Sequence, residues 1–237
     1  MSVHSVNHTN IYYQGADKIL LAVDCIIFGF DNEDLKILLI KRDFEPEKGK
    51  WSLMGGFMKK DETLDEAAIR VLHNLTGIRN IYMEQLYAFS NTERDPVART
   101  ISVPYYALIN IQEHNEELNE EHSAQWFSLK DFPRLIFDHN EMVGRAIRRL
   151  RYRASIMPIG FELLPEKFTM RQLRKLYEAI MDQSLDKRNF INKVNSLDIL
   201  MKLEEKETEG SIKGSYLYRF DKDKYDSKIV EGFQFKI

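Results

Sequence analysis

The sequence has little cysteine and no long apolar run. Its single cysteine, Cys25, excludes an intramolecular disulfide framework and suits a reducing cytoplasm. The longest apolar run, residues 19–30, contains Asp24 and is too short to cross a bilayer. The first residues lack the basic and apolar regions of a signal peptide. We therefore expect a cytoplasmic protein with no membrane partner.

Histidine is also scarce. None of the 6 histidines is paired at a spacing typical of metal ligands. We therefore expect neither a metal site nor a cofactor.

Acidic and basic residues are unevenly distributed along the chain. Residues 1–140 carry 14 Lys and Arg against 22 Asp and Glu, whereas residues 141–237 carry 20 against 15. An acidic half joined to a basic half suggests two functions, and the basic half is suited to a polyanion.

Residues 56–78 read GFMKKDETLDEAAIRVLHNLTGI. This segment resembles the box of Nudix hydrolases, in which a glycine, five residues, Glu and seven residues precede Arg-Glu-apolar-x-Glu-Glu-x-Gly-apolar. The positions in register with this pattern are Gly56, Glu62, Arg70, Leu72, Gly77 and Ile78. Independently of the family, a capping box from Thr63 to Glu66 and an apolar stripe predict an amphipathic helix that ends at Gly77.

The three acidic positions that bind metal and activate water in the Nudix family are occupied by Val71, Asn74 and Leu75. Divalent cations such as Mg²⁺ need several oxygen ligands, usually charged ones. Loss of these ligands removes most of the rate that a metal supplies. We therefore predict that the chain has no catalytic residues and is not an enzyme.

The order of strand and helix patterns predicts two domains. An α/β domain over residues 1–153 has the order of a Nudix-like αβα sandwich with a mixed sheet. A linker, residues 154–167, contains two prolines and a glycine. Residues 168–237 then give a helix, a short turn, a second helix and a β-hairpin, which is the layout of a winged helix–turn–helix domain.

The second helix of this domain has a face rich in Arg and Asn. Arginine is the commonest reader of guanine, and asparagine pairs with adenine through two hydrogen bonds. We therefore predict that the protein binds a double-stranded DNA operator through this helix and through phosphate contacts nearby. The predicted DNA-binding residues are Thr169, Arg171, Arg174, Arg188, Asn189, Asn192, Lys193 and Lys213.

The segments PEKFTMRQLRKLYEAI, LDKRNFINKV and GSYLYRFD, preceded by a Nudix-like domain, resemble those of the Nudix-related transcriptional regulators. This resemblance implies a homodimeric repressor or activator whose degenerate Nudix domain senses a small-molecule effector. One group in the family senses ADP-ribose and another senses L-arabinose to control carbohydrate metabolism. The VDCIIFGF and WSLMGGF segments are more similar to the arabinose group, so we expect L-arabinose, with ADP-ribose as the alternative.

A neutral sugar requires directed hydrogen bonds and an apolar face. We expect these from residues on or after the first strands, namely Asp24, Lys41, Arg42, Asp43, Glu45 and Trp51. If the effector is ADP-ribose, Arg94 and Arg99 are the expected partners of its phosphates.

Two other functions stay open at this point. The carboxylates that precede or begin the box helix offer substitute ligands for a residual phosphohydrolase. A scaffold that binds no DNA is the other alternative, although the Arg- and Asn-rich helix disfavours it.

Overall fold

The computed structural model of the protein describes residues 15–78, 81–114, 124–208 and 214–230. The strands are β1 (Leu20–Phe30), β2 (Leu35–Lys41), β3 (Trp51–Ser52), β4 (Met54–Phe57), β5 (Met83–Gln85), β6 (Thr100–Asn110), β7 (Gln125–Ser128), β8 (Phe168–Thr169), β9 (Leu200–Glu207) and β10 (Ser215–Phe220). The helices are α1 (Leu64–Thr76), α2 (Ile111–His114), α3 (His139–Ile156), α4 (Met170–Met181), α5 (Lys187–Ser196) and α6 (Lys222–Val230). In these described ranges, no helix combines the length and the apolarity that a membrane span requires.

Within the described residues, the N-terminal domain is built on a mixed sheet of seven strands. The main path runs β3-β2-β1-β6-β5, while β4 also pairs with β1 and β7 with β2. Strand β1 is parallel to β6 and antiparallel to β2 and β4. Successive residues of β1, from Cys25 to Phe28, are fully buried, so both faces of the sheet are covered. The predicted Nudix-like α/β domain with a mixed sheet is confirmed.

Helix α1 forms where the sequence pattern places it. The Thr63 hydroxyl accepts a hydrogen bond from the Glu66 amide, and the Glu66 carboxylate accepts one from the Thr63 amide. Gly77 ends the helix with a φ of 80°, a left-handed conformation that glycine adopts without steric cost.

The C-terminal domain is a winged helix. Its sheet has the order β8-β10-β9, and α4 and α5 form the helix–turn–helix. A second capping box, Thr169 with Gln172, starts α4, and the Asp186 carboxylate caps α5 by accepting from the Asn189 amide at 2.8 Å.

The structure departs from the sequence-based expectations in the connecting segments. A short helix, α6, follows the hairpin of the winged helix and was not expected from the sequence. Helix α3 continues through Ala154, which is fully buried, to Ile156, so the first residues of the predicted linker are helical. Leu150 of α3 and Leu176 of α4 belong to one apolar core, which therefore extends from the sheet into the winged helix.

Candidate effector cleft and nucleic-acid interface

Helix α1, the helix of the Nudix box, contains Arg70, which forms an ion pair with Glu62 in the loop that precedes the helix. The Arg70 guanidinium donates to both carboxylate oxygens of Glu62, at 2.8 and 2.5 Å, and to the Phe57 carbonyl at 2.9 Å. The hydrogen bond from Arg70 lowers the pKa of Glu62 to about 2. Glu62 is therefore already committed to Arg70, which makes it a poor substitute for a lost metal ligand.

The three positions that carry acids in Nudix hydrolases are occupied by side chains that pack or face solvent. Val71 is 3% exposed, and a Cβ atom at Gly56 would lie only 2.7 Å from its Cγ2 atom. Asn74 is exposed, and Leu75 packs with the apolar face of the domain. Among the residues that the structure describes, no group of three or more His, Cys, Asp and Glu side chains is arranged to hold a metal ion.

A buried polar cluster is centred on Asp24 of β1 and lies beside the start of α3. Asp24 on β1 accepts a hydrogen bond from the Ser102 hydroxyl at 2.5 Å, and its carboxylate is 3.8 Å from Arg94. Arg94 also donates twice to Asp138, at 2.8 and 2.9 Å. A Cβ atom at Gly55 would lie 2.4 Å from the Asp24 carboxylate, so glycine makes room for this cluster.

His139, the first residue of α3, completes the cluster. Its Nδ1 atom accepts from the Leu53 amide at 3.2 Å, which leaves the Nε2 proton directed toward Asp24 at 3.6 Å. Burial lowers the pKa of His139, although the nearby Asp24 carboxylate opposes that effect. The acceptor role of Nδ1 and the burial of the ring both favour a neutral imidazole.

Two adjoining cavities open at this cluster and share Arg94 and Phe137 as walls. The smaller, about 80 Å³, is lined by Ala22, Asp24, Arg42, Phe44, Ser52, Gly55, Gly56, Phe57, Arg94, Asp95, Thr100, Phe137 and His139. The larger, about 710 Å³, is lined by Glu47, Ala88, Phe89, Ser90, Asn91, Glu93, Arg94, Pro96, Phe137, Asp138, Glu141 and Arg145. We call the two together the effector cleft.

Arg42 and Phe44 form one wall of this cleft. The Arg42 guanidinium stacks 3.7 Å from the centre of the Phe44 ring and lies 5.7 Å from the centre of the Phe137 ring. Its Nε atom donates to the Phe44 carbonyl, and the Phe44 side chain is 57% exposed. The wall therefore presents a cation stacked on an aromatic ring that is more than half exposed.

The structure brings together only some of the predicted effector residues. Asp24, Arg42 and Arg94 line the cleft, and the remaining ones do not line either cavity. Trp51 packs edge-on against Phe127 on β7, at a ring distance of 4.7 Å. The other predicted residues outside the cavity walls are Lys41, Asp43, Glu45 and Arg99.

Several cleft residues were not identified from the sequence. Phe44 and Phe137 are isolated aromatic residues in loops, and Asp138 and His139 stand at the start of a helix. The pairing of Asp138 with Arg94 joins residues 44 positions apart, and no local pattern indicates it.

On the winged helix, α5 has the predicted two-sided character. Phe190 and Val194 are buried, whereas Arg188, Asn189 and Asn192 are exposed on the outer face. No acidic side chain lies within α5 itself. Lys193 is half-buried beside this face.

The residues of the neighbouring elements that were predicted to contact phosphate differ in their exposure. Arg171 is exposed, but Arg174 donates to the Glu178 carboxylate at 2.5 Å and to the Leu185 carbonyl, in the turn that precedes α5, at 3.3 Å. The prediction for Thr169 is corrected, because this residue is 2% exposed and its hydroxyl is occupied in the α4 capping box. Lys213 lies outside the described residues.

Comparison with known proteins identifies both domains. Residues 18–149 match the family model of the NUDIX domain. Residues 160–220 match the model described as the NrtR DNA-binding winged helix domain.

Individual proteins share this arrangement along nearly the whole chain. The chain is 32% identical to the ADPR responsive transcriptional repressor NtrR of Acinetobacter baylyi over 90% of its length and 88% of the relative's. The crystal structure of Shewanella oneidensis NrtR complexed with a 27mer DNA is similar at a TM-score of 0.80 and 28% identity, covering 91% of this chain and 97% of that one.

The cocrystal structure of the NUDIX domain of Shewanella oneidensis NrtR with ADP ribose covers 58% of this chain and 92% of its own, at a TM-score of 0.51 and 32% identity. The protein therefore belongs to the NrtR family of ligand-responsive transcriptional regulators, which join a Nudix domain to a DNA-binding winged helix.

Proposed function

We propose that this protein is a repressor whose operator binding is controlled by ADP-ribose. The observation that carries the proposal is the pair of guanidinium groups, Arg42 and Arg94, on the walls of one cleft. Arginine binds phosphate oxygens through charge-assisted, often bidentate hydrogen bonds. The exposed ring of Phe44 beside Arg42 offers a stacking surface for the adenine base.

The size of the cleft supports the same effector. Its larger part, about 710 Å³, lies within the range of about 300–1,000 Å³ that small-molecule sites usually occupy. Two relatives with a similar Nudix domain are described by their response to ADP-ribose or by their complex with it.

The expectation of L-arabinose receives no such support. It rested on similarity in two short segments and on Trp51 as an apolar face for the sugar. Trp51 instead packs against Phe127, and the cleft walls hold guanidinium groups suited to an anion. Calorimetry without added metal is therefore expected to show binding of ADP-ribose and no binding of L-arabinose. Binding of the sugar alone would overturn the choice of effector and leave the regulator assignment standing.

We further propose that the protein acts as a homodimer on a near-palindromic operator. A two-fold dimer presents two α5 helices to successive major grooves, so half-sites should repeat at roughly one or two turns of about 10 base pairs. Sedimentation of the protein with and without operator DNA measures this stoichiometry. One chain per operator would contradict the dimer.

Arg188→Ala and Asn189→Ala are each expected to weaken binding to the cognate operator by about 1–3 kcal/mol, because exposed Arg and Asn side chains on a recognition helix read base edges. Binding to random DNA should change far less. Arg171→Ala provides the contrast, since a phosphate contact supports both kinds of DNA equally. Fluorescence anisotropy with both DNAs measures the difference, and equal losses on both for Arg188→Ala would make Arg188 a phosphate contact.

A further inference from the structure

A single helix connects the effector cleft to the DNA-binding domain. Helix α3 has 18 residues, which corresponds to about 27 Å. Its buried face contributes Met142, Ala146 and Leu150 to the same core that contains Leu173 and Leu176 of α4. Because interiors are densely packed, a shift at one end of such a helix is transmitted to the other.

At the N-terminal end of α3, Asp138 pairs with Arg94, a residue outside the helix. Asp138 occupies the N-cap position, where a carboxylate ordinarily accepts from the free amides of the first turn. It makes no such hydrogen bond and instead accepts two from Arg94, whose side chain is 4% exposed. The first turn of α3 therefore lacks its usual side-chain cap while Arg94 is paired with Asp138.

The C-terminal half of α3 contacts the end of α4, just before the turn that leads to α5. Arg151 donates to the Ile180 carbonyl at 2.9 Å and pairs with Asp182 at 3.3 Å. Asp182 ends α4 in a left-handed conformation. Tyr177 of α4 then contacts Phe190 of α5 at a ring distance of 5.5 Å. These contacts lead from α3 to the helix predicted to read DNA.

We propose that the Arg94–Asp138 pair is a latch that the effector opens. This inference rests on the proposed function, because it requires an effector with phosphate groups. Phosphate oxygens compete with the Asp138 carboxylate for Arg94, and the released carboxylate turns to cap α3. The first turn of α3 then shifts, and Arg151 carries the shift to the turn that positions α5.

The latch holds the state that binds DNA, so opening it weakens operator binding. A helix displacement of about 1–2 Å is typical of such transitions. The effector controls the equilibrium only through its higher affinity for the open state. A variant that opens the latch without effector should therefore reproduce part of the effector's action.

Asp138→Asn tests the latch in the absence of any effector. Asparagine weakens the pair with Arg94 and is a good N-cap, so it favours the open state. The dissociation constant for operator DNA is expected to rise about tenfold. Glu141→Gln is the matched control, because Glu141 lines the same cavity but pairs with Arg145 on its own helix. Equal operator affinities for the two variants, both with wild-type unfolding transitions, would overturn the proposal.

Arg151→Gln tests the other end of the helix without altering the cleft. Wild-type operator affinity is expected to fall at least tenfold with saturating ADP-ribose, whereas this variant should change less than twofold while still binding ADP-ribose. Arg148→Gln carries the same charge change at an exposed position of α3 and should respond as wild type does. A full response in Arg151→Gln would refute transmission through α3.

The two experiments separate the latch from the choice of effector. If wild-type protein binds its operator but ADP-ribose does not release it, the proposed effector is wrong. The comparison of Asp138→Asn with Glu141→Gln still decides the latch, because that comparison uses no effector.

Discussion

Incubation with ADP-ribose and Mg²⁺ or Mn²⁺ is expected to leave the nucleotide intact. The positions that supply metal ligands in Nudix hydrolases hold Val71, Asn74 and Leu75, and Val71 packs closely on Gly56. The nearby Glu62 carboxylate is already bound by Arg70. Without carboxylate ligands, the main source of the metal-dependent rate is absent. Chromatography of the reaction over hours measures the result.

A restored variant is the control for this prediction. Val71→Glu, Asn74→Glu and Leu75→Glu together return the family's acidic positions, and this variant is expected to gain affinity for Mg²⁺, measured as a shift of its thermal unfolding. Because Val71 is buried, folding of the variant must be verified first. Turnover of about 1 per second or more by the unaltered protein, a rate typical of enzymes, would show that the chain is a hydrolase after all.

Arg42→Ala is expected to weaken ADP-ribose binding by about 1.5–3 kcal/mol, the usual range for a hydrogen bond to a charged group. This corresponds to roughly 10- to 150-fold in the dissociation constant. Arg42 is preferable to Arg94 for this test. Removal of Arg94 would leave the buried Asp24 and the partly buried Asp138 without their cation, and such unpaired charges destabilise the fold itself.

Lys41→Ala is the matched control for Arg42→Ala. The two residues are adjacent and carry the same charge, but Lys41 lies over the Trp51 ring, at 5.3 Å, and outside the cleft walls. Calorimetry should show less than a twofold change for Lys41→Ala. Equal losses in the two variants would mean that overall charge, and not a direct contact from Arg42, attracts the effector.

The sequence predicts the local elements well, because their causes are local. The capping boxes at Thr63 and Thr169 and the left-handed Gly77 form as the pattern indicates. The apolar run of residues 19–30 forms β1, in which Cys25 to Phe28 are fully buried. These features depend on residues within a few positions of one another.

The effector cleft was predicted only in part, because long-range contacts assemble it. Asp24, Arg42 and Arg94 were identified as polar residues near the expected cleft, but the direction in which Trp51 points depends on its pairing with β2 and contact with Phe127. The bidentate contact between Arg94 and Asp138 arises only when α3 is in place. Its sequence separation exceeds the reach of any helix or strand periodicity.

Control of DNA binding by a small anion in the Nudix domain is the central proposal. Its most direct test is the fluorescence anisotropy of labelled operator DNA bound to the full chain, titrated with ADP-ribose in the absence of divalent metal. Anisotropy is expected to fall to that of free DNA, and L-arabinose at the same concentrations is expected to have no effect. Anisotropy that stays constant through saturating ADP-ribose, with the operator fully bound, would contradict control by this anion.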